Sequence, residues 1–96
     1  MIAVKVTDTE ITVDSHAGYA EKGKDIICAS VSVLVWNLIR SIQALTSDKI
    51  EYSVLDGHVN VKYENLSGRG KLLVDSFFIG ISEIEESYGS QYVSIS

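Results

Sequence analysis

An α+β fold is what the sequence predicts: a single mostly antiparallel sheet of about five strands with two helices packed on it, in the order β-β-α-β-β-α-β. Three observations carry it. Two stretches, 26–45 and 73–88, repeat apolar residues every three or four positions. Each follows a pair of short stretches in which apolar and polar residues alternate, and an Asp-Gly pair divides the second such pair. Ninety-six residues is a one-domain length, and no linker, repeat or low-complexity segment interrupts it, so residues 1–96 are read as one domain.

Ile2, Val4 and Val6 place one strand's apolar face, and Ile11 and Val13 the next; the polar Asp8-Thr9-Glu10 joins them. Carried on, that alternation sets His16 on the face of Thr12 and Asp14, away from the core. From Ile26 to Leu45 the stripe Ile27, Val31, Leu34, Val35, Leu38, Ile42 and Leu45 reads as a long helix. Val33, Trp36 and Ile39 lie off that stripe, so the helix is expected to be sandwiched between the sheet and either a second helix or a partner subunit. Its β-branched residues are modest helix formers, so packing must hold it. Asp25 is placed as its N-cap, which makes Cys28 the third helical residue. Residues 50–55 and 58–63 flank Asp56-Gly57, whose tolerance of positive φ suits a tight hairpin. Asn65 to Gly70 reads as a loop; its Asn65-Leu66-Ser67 acceptor pattern and its Gly68-Arg69-Gly70 are too weak alone to mark a glycan or an anion site. Leu73, Val74, Phe77, Phe78, Ile81, Ile84 and Tyr88 form the second helix, Gly89 stops it, and 91–95 is a last strand.

With 46% hydrophobic and 22% charged residues and no proline, the chain has the composition of a folded protein. A net charge of −5 repels phosphate backbones and argues against direct nucleic-acid binding, while favouring a basic partner. The beginning of the chain lacks the pattern of a secretory signal, and no segment is expected to reach the ~20 apolar residues of a membrane span. A cytoplasmic protein with no membrane partner is the expectation. A domain this small buries only about two-thirds of its unfolded surface, which favours a homodimer. The single cysteine has no intrachain disulfide partner, and one cysteine with two separated histidines makes no metal signature, so no metal or other cofactor is expected.

Chemistry concentrates between Ser15 and Ser32. His16 and Cys28 stand twelve positions apart, joined by a small polar loop, 17–24, with glycines at 18 and 23. A thiol ionises near pH ~8.5, and both a helix start and a nearby imidazole favour the thiolate that a nucleophile requires. The plainer alternative makes Cys28 a small buried hydrophobe and His16 a polar strand end. Ser30 and Ser32 have no base at an activating spacing and read as helix-lining residues, and His58, just after the hairpin turn, is assigned no role. Trp36 and Phe77-Phe78 are core or interface positions, and an exposed Trp36 would favour interface.

The run Ser15-His16-Ala17-Gly18, followed by Gly23-Lys24-Asp25-Ile26-Ile27-Cys28-Ala29-Ser30-Val31-Ser32, resembles the ribosomal-processing cysteine protease family, Prp. That family's pattern is Gly-His-Ala, a loop, and Gly-x-Asp-Ile-Val-Cys-Ala-Ala-Val-Ser. The resemblance implies a cytoplasmic homodimer that removes the N-terminal extension of a large-subunit ribosomal protein, the twenty-seventh. It places the nucleophile on Cys28 and the general base on His16, with Asp25, Gly23 and Ser15 in supporting or positioning roles. Ser15 stands where the family has glycine, and Ser30 where it has alanine. A non-catalytic ribosome-assembly module that holds a basic ribosomal protein, and a thiol redox sensor, are the competing readings.

Overall fold

In the computed structural model, residues 2–15, 24–55 and 57–96 are described, with Ser15, Lys24 and Asp25 described by backbone alone. Strands β1 (Ile2–Val6) and β2 (Glu10–Ser15) lead into helix α1 (Lys24–Leu45). Strands β3 (Ile50–Leu55) and β4 (His58–Tyr63) lead into helix α2 (Gly68–Tyr88), and β5 (Val93–Ile95) follows. The order is the predicted one. The sheet runs β3-β4-β2-β1-β5, antiparallel throughout except for the parallel β1–β5 pair at one edge.

Register assigns the two faces. Val4 lies opposite Val13, Val6 opposite Ile11, Ile11 opposite Val61, and Ile2 beside Val93, so the apolar side chains of four strands collect on one side. Both helices cover that side: Ile27, Val31, Val35, Leu38, Ile39 and Ile42 of α1, with Val74, Phe77, Ile81 and Ile84 of α2, join the strand residues in one buried cluster. Burying one such side chain contributes roughly 1.5–3 kcal/mol. The other face is polar, with Asn60 Nδ2 donating to Glu10 Oε2 at 2.7 Å and His58 Nδ1 paired with Asp14 Oδ1.

The first hairpin turns on Thr7, whose hydroxyl accepts from the Glu10 amide at 3.0 Å while its own amide donates to the Glu10 carbonyl at 2.9 Å. Tyr63 ties β4 to this turn: its hydroxyl donates to the Thr7 carbonyl at 2.8 Å, and burial pushes its phenol up to about 12.

Three expectations are corrected. α1 begins at Lys24, so Asp25 is its second residue rather than its cap and Cys28 its fifth. α2 begins at Gly68, so the Gly68-Arg69-Gly70 segment expected as loop is the helix's first turn. The reason is tertiary: Ser67 caps α2 by accepting from the Gly70 amide at 3.2 Å, and the Asp48 carboxylate, on the α1–β3 connection, accepts from the Ser67 amide at 3.1 Å and hydroxyl at 2.8 Å. Those bonds offset the poor helix propensity of two glycines. Finally, Ile26–Leu45 is long and apolar enough, by length and composition, to cross a membrane. One face of it packs on the sheet and on α2, where Leu34 approaches so closely that a Cβ at Gly80 would lie 3.1 Å from it, while Ile26, Val33 and Leu45 stay exposed.

Candidate active site

Cys28 lies on α1 one position past the buried Ile27, and its thiol is free and exposed. This settles the two readings of the residue: it is not a packed core hydrophobe. Helical side chains lean toward the helix N-terminus, so Sγ is directed back over the first turn of α1. There the amides of residues 24–26 have no acceptor within the helix. Cys28 itself is far enough along for its own amide to close a helical ring on Lys24.

A groove of about 460 Å³ opens beside the thiol. Cys28, Val31 and Ser32 form its helical wall, and Val54, Leu55, Gly57, His58 and Val59 of the β3–β4 hairpin form the other; Ile2 and Val13 close the floor. Among the described residues of the lining, all but Cys28, Ser32 and His58 are aliphatic or glycine, and Leu55 is 65% exposed at the rim. Gly57 adopts φ 78°, the left-handed conformation that the tight hairpin demands. Depressions of about 740 and 760 Å³ at the opposite end of the sheet have neither cysteine nor histidine in their described walls.

The predicted site residues divide sharply. Cys28 is exposed in a groove, as a nucleophile requires. Ser15 is the last residue of β2, paired with Ile2, so the position that departs from the expected glycine is held as extended strand. Asp25 lies in the first turn of α1. His16, Gly23 and the loop between them lie outside the described residues, and with them the His16–Cys28 separation. Ser30 donates its hydroxyl to the Ile26 carbonyl at 2.7 Å and lines the helix, as expected. His58 stands on the groove rim with its imidazole engaged by Asp14 on the polar face. Sequence reasoning missed the hairpin wall, because Val54, Leu55 and Val59 read only as strand residues; the one available signal was the tight Asp56-Gly57 turn. Trp36 is 38% exposed and stacks edge-on against Tyr52 of β3, with ring centroids 6.0 Å apart.

An exposed thiol at a helix start, set in an apolar groove on an α+β frame, fits a peptidase of the cysteine class. The family model described as cysteine protease Prp matches residues 1–94. The ribosomal processing cysteine protease Prp of Staphylococcus aureus is 31% identical over 87 residues, covering 88% of this chain and 80% of that protein. The protein of the same name from Mycoplasma genitalium is 34% identical over 53 residues, covering 55% of this chain and 50% of its own length. In fold, the chain is similar to the S. aureus Prp crystal structure in complex with a substrate peptide, at a TM-score of 0.85 and 24% identity over 99% of this chain and 95% of that one. The S. aureus Prp structure with a covalently linked product peptide gives a TM-score of 0.82 at the same identity and coverage. The chain belongs to the Prp family of ribosomal processing cysteine proteases, and it is a cysteine peptidase.

Proposed function

We propose that this peptidase removes the N-terminal extension of the twenty-seventh large-subunit ribosomal protein, using Cys28 as nucleophile and His16 as general base. The observation that carries the reading is the exposed Cys28 thiol in an apolar groove at the start of α1, within the run that matches the family pattern. Cys28 Sγ attacks the scissile carbonyl carbon while its proton passes to His16. The resulting oxyanion is held by the free first-turn amides of α1, toward which Sγ leans. The C–N bond then breaks, the leaving amine takes the proton from His16, and water hydrolyses the thioester to return the free thiol. Asp25 and Gly23 position the helix start, and Ser15 anchors the strand that delivers His16.

The net charge of −5 supports a basic polypeptide as the substrate and disfavours nucleic acid as a direct partner. A mechanism that needs a reduced thiol and no cofactor suits the cytoplasm. We also propose a homodimer: Val33 and Ile79, 66% and 69% exposed, flank the Leu34–Gly80 contact between the helices, and Leu72 and Phe78 are exposed on α2. Sedimentation is expected to give twice the monomer mass, and Ile79→Lys to shift it to monomer; a wild-type protein at monomer mass across concentrations would refute the dimer.

The test of the activity is cleavage of the extended ribosomal protein by wild type, Cys28→Ala and His16→Ala. Loss of each side chain is expected to lower the rate by about 10³-fold or more. Cleavage that persists in both variants would overturn the dyad, and no cleavage by wild type would overturn the substrate.

A further inference from the structure

We infer that the peptide substrate binds by adding a strand to the free edge of β3, and that the α1 stripe Cys28, Ser32, Trp36 forms the wall of this track. The inference rests on the peptidase reading and says how the substrate is held. Among the described residues β3 pairs only with β4, so it is an edge strand of the described sheet with no described partner on its outer side.

Register identifies which backbone groups face outward. The Tyr63 amide donates to Thr9, on the side of β4 away from β3, at 2.9 Å. Tyr63, Val61 and Val59 therefore turn their backbone groups toward β2, whereas Lys62, Asn60 and His58 exchange bonds with Glu51, Ser53 and Leu55. The alternation leaves the N–H and C=O of Ile50, Tyr52 and Val54 directed at the free edge. An extended peptide satisfies such a row with main-chain bonds whatever its sequence, and draws specificity from alternate side chains.

The helix supplies the second half of the track. Residues 28, 32 and 36 lie at i, i+4 and i+8, on one stripe. The stripe flanks β3: Cys28 and Ser32 share the groove with Val54 and Leu55, and the Trp36 ring meets Tyr52. α1 and β3 thus run in opposite directions, and the open edge is continuous with the thiol. Eight helical residues from Cys28 to Trp36 span about 12 Å, the length of about four extended residues. The track accordingly holds about four residues on one side of the scissile bond. Every second one lies against Trp36, Tyr52 and Val54, which calls for apolar side chains at alternate positions.

The experiment uses Cys28→Ala protein and a ten-residue peptide spanning the processing junction of the ribosomal protein. Calorimetry follows a series carrying one N-methylated amide each. Only alternate peptide amides point at β3, so methylation is expected to weaken Kd about tenfold at alternate positions and less than about twofold between them. Hydrogen exchange read on the same complex is expected to slow at the Tyr52 and Val54 amides and stay unchanged at Glu51 and Ser53, which are already bonded to β4. A flat profile, no binding, or protection of Tyr52 and Val54 that rises with protein concentration in the absence of peptide would each overturn the inference; the last assigns the edge to a second copy. Cleavage of the unmodified peptide by wild type is read separately. A flat profile with cleavage removes the track alone, and an alternating profile without cleavage supports the track and removes the protease reading alone.

Discussion

At the start of α2 the Asp48 carboxylate takes the Ser67 amide and hydroxyl, Ser67 Oγ takes the Gly70 amide, and Gly70 carries no Cβ because one would collide with Asp48. Near the start of α1 a free thiol stands exposed beside an apolar groove, and the described wall across from it is the far end of a hairpin. Both helices offer unsatisfied amides and the positive end of a dipole. At α2 the field is taken up by a resident carboxylate and converted into stability; at α1 the described residues set an exposed thiol one turn in, beside a groove. The lesson is that a helix start filled by a resident side chain holds the fold, while an exposed thiol near another is available for chemistry.

Exchanging the atoms that distinguish the two starts sharpens the contrast. The largest effect is at α1: Cys28→Ala is expected to remove peptide cleavage, by about 10³-fold or more, while melting within a degree or so of wild type, since its side chain fills no core. A large fall in melting temperature would return Cys28 to a packing role. At α2, Gly70→Ala is expected to destabilise by about 1–3 kcal/mol by displacing the Asp48 carboxylate, with cleavage unaffected at temperatures where the variant is folded. Chemical denaturation measures it, and an unchanged midpoint would mean that the cap is not needed.

The smallest effect is one of pH. The Ser67 hydroxyl and amide hold the Asp48 carboxyl below its ordinary range. A carboxylate whose folded pKa is depressed contributes stability that is fully present above the unfolded value of about 3.9 and is lost as pH falls through the lower folded value. The Asp48→Asn variant should therefore melt below wild type at neutral pH and converge with it in strong acid. A gap that stayed constant from neutral pH to about pH 2 would assign the contribution to shape rather than charge.

Most of the fold was legible because its elements are short and strongly patterned. Val4 and Val13 follow an alternation that only a half-buried strand satisfies, Ile27, Val31, Val35 and Ile42 one that only a helix satisfies, and Asp56-Gly57 admits little besides a hairpin. The misread boundaries fall where a distant group overrides local preference. Nothing in Gly68-Arg69-Gly70 announces a helix, because the carboxylate that makes it one arrives from Asp48. Cys28 was legible as chemistry through its neighbours in sequence, whereas the groove wall was not, since Val54 and Leu55 acquire that meaning only from where the hairpin lands.

Sequence alone determined the element order, the apolar faces, the family and the candidacy of Cys28 and His16, because each is written in local periodicity or in a contiguous run. Tertiary structure decided the strand order, which sets β3 at the edge of the described sheet, and the seating of α1 along that edge with Cys28, Ser32 and Trp36 beside it. It also decided that α2 starts under the Asp48 carboxylate and that the Cys28 thiol of α1 is exposed. These depend on contacts between residues far apart in the chain, which no local pattern encodes, and they turn a lone cysteine into the end of a track wide enough for a peptide.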